Sequence, residues 1–336
     1  MVSNDVLAAS LRASQVPPFK VMEVMMAAAA REQQGLPVLH MEVGQPATGA
    51  PPHVCEASKR ALDECAAGRS TLGYTISDGI DPLRAAIARD YKSRYGVDVD
   101  LERIMVTTGS SAAFVLGFTA MFDHGDRVAI ATPGYPAYRN ILEALGVEVV
   151  SIPVDAATNF QPTCELLDGA LDGKPIKGLI VASPSNPTGT VLKKSELFEL
   201  IDWCKERKVW FVSDEIYHKI EYGEERATTA LEAPGGADTC MVRVHPSRHS
   251  IHLSDLIPLI FFPSFLTSFP PTRTNTKHHP SRSSHPTQVI NSFSKYHCMT
   301  GWRVGWAVVP PKIQPAMIAL QQVNFFLFFF PHGQSY

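Results

Sequence analysis

A lysine closes an apolar, strand-like run in Val289-Ile290-Asn291-Ser292-Phe293-Ser294-Lys295. Taking an ammonium out of water is costly, so a lysine drawn toward an apolar strand end loses part of its preference for charge. A lysine with a depressed pKa is a nucleophile, and with an aldehyde it forms a Schiff base. Taken alone, Lys295 also fits an ordinary exposed loop lysine. Four other groups have chemical capacity: Thr108-Gly109-Ser110-Ser111, Gly134-Tyr135, Asn186-Pro187-Thr188-Gly189 and Asp214-Glu215-Ile216-Tyr217. Each has a plainer reading. Ser110 and Ser111 fit simple helix N-caps, and Asn186 fits a turn before Pro187. Asp214 fits a helix cap or solvated loop acid, Tyr135 a turn aromatic, and Tyr217 a core aromatic.

The elements that must position these groups alternate from about Asp81 to Trp210. Apolar spacing predicts a helix over Asp81–Gly96, opened by Asp81-Pro82 and closed by Gly96. Arg103–Gly109 reads as a short strand, and a helix follows at once over Ser110–Phe122. The same rhythm continues through RVAIATPGYPAY, GVEVVSIPV and KGLIVASPSNPTG as strands, with helices in PAYRNILEALG and KSELFELIDWCKERK. VWFVSDEIY is another strand. This β-α-β order predicts an α/β fold, a three-layer α/β/α large domain whose mostly parallel sheet has helices on both faces. In such sheets chemistry collects at the strand ends, where the polar and turn residues fall here.

The chain has 336 residues, enough for a sizeable core, and 45% hydrophobic against 19% charged residues argues a globular protein. Its net charge of -3 offers no basic excess for nucleic acid or an anionic membrane. No run reaches eighteen apolar residues; the longest, Leu256–Phe269, holds Pro258 and Pro263. Six scattered cysteines without a CxxC pair argue against a disulfide framework or zinc site and for a reducing compartment. The opening residues MVSNDVLAASLRASQ hold no apolar signal core, so a cytoplasmic location is expected, with organellar import left open. Nucleotide-loop motifs and HExxH are absent.

One stretch breaks the rhythm. Arg243–Gln288 has no glycine, one acid (Asp255), a net charge of +4 and six of the twelve histidines. Those histidines fit no defined ligand set, so no metal is expected. After it, QVINSFSKYHCMTGWRVGWAVVP resumes a strand, a loop and a strand.

Taken together, NPTG at Asn186–Gly189, SDEIY at Ser213–Tyr217 and SFSKYHCMTGWRVGW at Ser292–Trp306 resemble the fold-type I pyridoxal-phosphate aminotransferases of class I/II. YTISDGIDPLR, TTGSSAAF and PGYPAY are similar to the family's earlier landmarks. The resemblance covers roughly Val16–Val242 and Val289–Gln322. It implies that Lys295 holds the cofactor as a Schiff base and moves the proton at the substrate's Cα, while Asp214 pairs with the pyridinium nitrogen. Asn186 and Tyr217 would bond the phenolic oxygen, and Tyr135 would stack on the ring. Ser110, Ser111, Ser292 and Arg303 would bind the phosphate, Ser110 and Ser111 at a helix N-terminus, Ser292 by its hydroxyl and Arg303 by its fork. Arg303 follows Lys295 by eight residues, the family's interval. Tyr74 would reach the phosphate bound by a second copy, which implies a homodimer. Gly44 would lie near the substrate carboxylate. For these three, the plainer readings are a surface arginine, a core tyrosine and a turn glycine.

The implied activity is amino transfer from an L-amino acid to a 2-oxo acid by a ping-pong mechanism. A C–S lyase of the same fold and a non-catalytic family member are the alternatives. The implied division is 1–45 as N-terminal segment and small-domain part, 46–322 as cofactor-binding large domain, and 323–336 as a tail outside the resemblance. The small α/β domain is expected to be incomplete, without the family's arginine for the substrate α-carboxylate, and the chain as given is expected to have little activity. The stretch 243–288 and the tail read as translated non-coding sequence, such as retained introns, with a disordered insertion loop as the competing reading.

Overall fold

The computed structural model describes residues 10, 14, 16–223, 226–235 and 287–325. Most of the stretch 243–288 therefore lies outside the described residues, as does most of the tail. Eight helices of at least seven residues are described: α1 Lys20–Gln33, α2 Pro52–Ala66, α3 Asp81–Tyr95, α4 Gly109–Met121, α5 Pro136–Ala144, α6 Cys164–Ala170, α7 Lys194–Arg207 and α8 Gln314–Phe325. The strands are β1 Ile104–Thr107, β2 Arg127–Thr132, β3 Glu148–Pro153, β4 Gly178–Ala182, β5 Trp210–Asp214, β6 Thr287–Ser292 and β7 Gly305–Val308.

The seven strands form one sheet in the order β1-β7-β6-β5-β4-β2-β3. Only β7 runs against its neighbours, antiparallel to β1 and to β6. Successive strand residues face opposite sides, and the core divides accordingly. Ala129, Leu179, Val181, Phe211 and Val289 enter one apolar cluster with α3, α6 and α7. Val128, Ile130, Ile180, Val212 and Ile290 enter the other with α4, α5 and α8. Three layers result, as the alternation of elements predicts.

The local signals act as expected. Pro82 stands in the first turn of α3, and Gly96 ends it in the left-handed region at φ 73°. Asp81 and Asp78 both bind the buried Arg84 guanidinium of that helix. The element bounds differ in two informative places. Strand β5 stops at Asp214 rather than running through Tyr217, because Asp214 Oδ1 accepts from Ile216 N at 3.1 Å and turns the chain. Strand β6 begins at Thr287, so the last two residues of the foreign stretch pair with Phe211 and Val212. Helix α8 likewise runs past the boundary at 323.

Candidate active site

Strands β1, β2, β4, β5 and β6 all run the same way, so their C-terminal ends share one edge of the sheet. Strand β7 runs opposite, so the residues before it reach that same edge. Asp214 ends β5, Asn186 follows β4, Tyr135 follows β2, and Ser110 and Ser111 follow β1. Ser292 ends β6 with Lys295 three residues on, and Arg303 stands just before β7.

Asp214 is buried between Ala182 and Ile290. Its Oδ2 accepts a short hydrogen bond from Tyr138 Oη. Burial pushes its pKa up to about 6, opposed by the Tyr138 and Ile216 hydrogen bonds and the Lys295 charge. Tyr138 sits in the first turn of α5, edge-on to Tyr135 at 5.3 Å between ring centres. It is a candidate site residue that sequence reasoning missed; its one signal is the i, i+3 spacing from Tyr135.

Lys295 is half-buried. Desolvation and the neighbouring Arg303 lower its pKa, against the Asp214 carboxylate, which raises it. Its Nζ donates to the Gly44 carbonyl at 2.5 Å and lies 5.5 Å from the centre of the Tyr217 ring. Asn186 Nδ2 donates to Tyr217 Oη at 3.3 Å. The structure thus brings Lys295, Gly44, Tyr217 and Asn186 together, with Asp214 and Tyr135 beside them.

The N-terminus of α4 forms a second part of the site. Gly109 opens the helix at φ 79°, and a Cβ there would fall 2.6 Å from Arg303 Nη2. Gly305 is as constrained, for its Cβ would lie 2.9 Å from Ser110 N. Two glycines therefore let the guanidinium and β7 close on the first turn of α4, where unpaired N–H groups favour an anion. Arg303 itself holds φ 54°, with Nη1 donating to Thr300 O at 3.1 Å. Ser292 is buried, its Oγ accepting from Ser294 N at 2.9 Å. Tyr74 is 80% exposed.

A buried network supports the floor. His218 is buried and its pKa falls to about 4, so it is neutral. Nε2 faces the Ser183 carbonyl at 2.9 Å and must carry the proton; Nδ1 accepts from Tyr95 Oη at 2.7 Å. Ser183 N in turn donates to the Asp214 carbonyl at 3.2 Å. His218 so ties the loop carrying Asn186 to the turn carrying Tyr217. Glu215 points to the other face, accepting from Ser213 Oγ, Thr229 Oγ1 and Ala230 N. Burial raises its pKa to about 8. Sequence reasoning missed both His218 and Glu215, because only the fold shows that they are enclosed. Among the described residues no group of three or more His, Cys, Asp or Glu could hold a metal, and no helix is long and apolar enough to cross a membrane.

Comparisons with known proteins bear on the family and the fold. The family model "Aminotransferase class I and II" matches residues 37–336. A valine–pyruvate aminotransferase of Mycobacterium tuberculosis is 40% identical over 311 residues, 93% of this chain and 66% of that protein. An aspartate aminotransferase of Thermotoga maritima is 29% identical, over 93% of this chain and 68% of its own length. Among solved structures, an aminotransferase from Mycobacterium tuberculosis superposes with a TM-score of 0.74 at 38% identity, covering 95% of this chain and 67% of that one. The chain spans about two thirds of the length of these relatives. On the family match and on the fold, this chain belongs to the class I and II aminotransferases.

Proposed function

We propose that the chain carries out amino transfer from an L-amino acid to a 2-oxo acid in two alternating half-reactions, with pyridoxal 5'-phosphate as its cofactor. The observation that carries the reading is the grouping at one sheet edge of a half-buried lysine, a buried carboxylate and an arginine closed onto a helix N-terminus. The residues fit that cofactor: the α4 N-terminus and Arg303 suit a phosphate, and Asp214 suits a protonated ring nitrogen. When bound, pyridoxal phosphate supplies a conjugated, electron-withdrawing ring that makes the substrate's Cα–H bond acidic.

The chain's own residues do the rest. Lys295 holds the cofactor covalently, and its amine, once free, moves the proton at the substrate Cα. Its lowered pKa keeps more of the amine neutral and so able to accept that proton. Asp214 keeps a negative charge at the ring nitrogen, fixed by Tyr138 and Ile216 N. Asn186 and Tyr217, already bonded to each other, present donors to the phenolic oxygen. Tyr135 covers the ring face. The Ser110 and Ser111 end of α4, with Ser292 and Arg303, binds the phosphate. Gly44 lies where the amine of Lys295 ends, which suits a neighbour of the substrate. Tyr74, exposed, reaches toward the site of a second copy in a homodimer. The large domain spans 46–322 with 1–45 before it.

Incubation with an amino-acid donor panel and pyruvate or 2-oxoglutarate tests the reading, and a new amino acid is the expected product. Ammonia and pyruvate from sulfur-bearing amino acids, with no amino acid formed, would replace it with a C–S lyase.

A further inference from the structure

The head of β6 carries a chemical mismatch. Thr287 and Gln288 are 1% and 0% exposed, beside Phe211 and Val212 of β5. Among the described residues, Thr287 Oγ1 and Gln288 Oε1 have no hydrogen-bond partner. Gln288 Nε2 donates to Met317 Sδ at 3.6 Å, a weak acceptor. The amide lies on the backbone of Gly117 in α4, where a Cβ would sit 2.4 Å from Oε1. Gly117 is flanked by Leu116 and Phe118, both buried. An unpaired polar atom in such a place bears a desolvation cost that nothing recovers.

The same chain holds a better-matched pair. Cys240-Met241-Val242 stands just before the break in composition, and Thr287-Gln288-Val289 closes it. Cysteine offers a small side chain without the hydroxyl of threonine. Methionine has nearly the length of glutamine, without the amide, and its thioether adapts to irregular apolar space. Either pair is followed by valine, so either continues into Val-Ile-Asn-Ser in the same register. The connection is short: the 3-10 turn Ala230–Glu232 packs against β6. Four residues, 236–239, would then link Gly235 to Cys240, five steps with a reach of up to about 18 Å.

The coding alphabet points the same way. Every valine codon opens with GT, and one of the two glutamine codons closes with AG, the dinucleotides that bound an intron. A segment from Val242 to Gln288 begins with GT whatever the valine codon, ends with AG where Gln288 is encoded by CAG, and its 47 whole codons leave the frame intact.

We infer that in the functional form of this protein Met241 joins directly to Val289, and that Cys240 and Met241 are the proper occupants of the first two positions of β6. Residues 242–288 are then intervening sequence, and Thr287 and Gln288 fill slots shaped for an apolar pair.

Amplification of messenger RNA across the joint is the first test. The expected main product lacks the 47 codons; a full-length product alone would overturn the inference. The second test is on the protein and needs no cofactor, so it can fail or succeed apart from the amino-transfer reading. The double variant Thr287→Cys, Gln288→Met in the full chain should raise the thermal midpoint by about 3 °C or more. An unchanged or lower midpoint would show that the slots are not apolar. Where the full chain aggregates, soluble yield is the readout. Removal of residues 242–288 should raise it at least about tenfold, and an equal or lower yield contradicts the inference.

Discussion

Replacing Tyr138 by phenylalanine removes one hydroxyl and leaves the buried ring among Phe114 and Tyr135. The hydroxyl donates to Asp214 Oδ2, and both groups are buried. A hydrogen bond to a charged group contributes about 1.5–3 kcal/mol, and one between neutral groups about 0.5–1.5 kcal/mol. Tyr138→Phe should therefore cost more where Asp214 is ionised than where it is protonated. Asp214 has a folded pKa near 6, raised from 3.8 by burial, so the folded state holds its proton more tightly than the unfolded one. Its own contribution to stability is full below about pH 4 and is lost as pH rises through 6. The Tyr138 bond offsets part of that loss by favouring the carboxylate. Without it the folded pKa should climb by about one unit, equivalent to about 1.4 kcal/mol. Urea denaturation of the cofactor-free protein at pH 5 and pH 8 measures the difference. We expect Tyr138→Phe to destabilise by about 0.5–1.5 kcal/mol at pH 5 and about 1.5–3 kcal/mol at pH 8. An equal loss at the two pH values, or none at pH 8, would refute the claim that this hydroxyl supports a charged Asp214.

Gly109→Ala places a Cβ against the Arg303 guanidinium at a φ of 79°, costing about 1–2 kcal/mol in backbone strain. Fluorescence titration should show pyridoxal phosphate binding weakened at least about tenfold, and unchanged affinity would remove Arg303 from the phosphate site. Glu215 holds a proton in the folded state up to about pH 8 against about 4.5 when unfolded, so its contribution to stability falls as pH rises from about 4.5 to 8. The buried His218 and His297 have folded values near 4 and oppose this fall until histidine in the unfolded state loses its proton around pH 6.5, so Glu215→Gln should flatten the slope that remains between about pH 7 and 8 in denaturation curves. Asp214→Ala should lower kcat by about 10²–10³ while cofactor affinity changes less than about tenfold. Near-normal turnover by that variant would count against the pyridinium-pairing role.

The elements of the sheet were legible because their signals are local. Gly96 stops α3, Pro82 starts it, and apolar runs such as GLIVA mark strands buried on both faces. The direction and place of β7 were not legible. Its partner β1 lies some two hundred residues earlier, and no local signal says that β7 inserts antiparallel between β1 and β6. The candidate site residues stood out by strand ends and motif, and the structure brings Lys295, Asn186, Asp214 and Tyr217 to one edge of the sheet. Tyr138 was hidden because a helical tyrosine reads as core until the fold aims its hydroxyl at a carboxylate. Glu215 and His218 were hidden because charge in a sequence reads as surface, and only enclosure makes them neutral. The break at 243–288 was legible from composition, but the polar mismatch at the head of β6 needed side-chain contacts.

Covalent capture at Lys295 tests the central claim most directly. Borohydride reduction of the protein incubated with pyridoxal phosphate, followed by peptide mapping, should place the pyridoxyl label on the peptide carrying Ser292-Phe293-Ser294-Lys295. Its half-buried position and lowered pKa favour it over the exposed lysines. A label on another lysine, or none in a folded protein, would contradict the account.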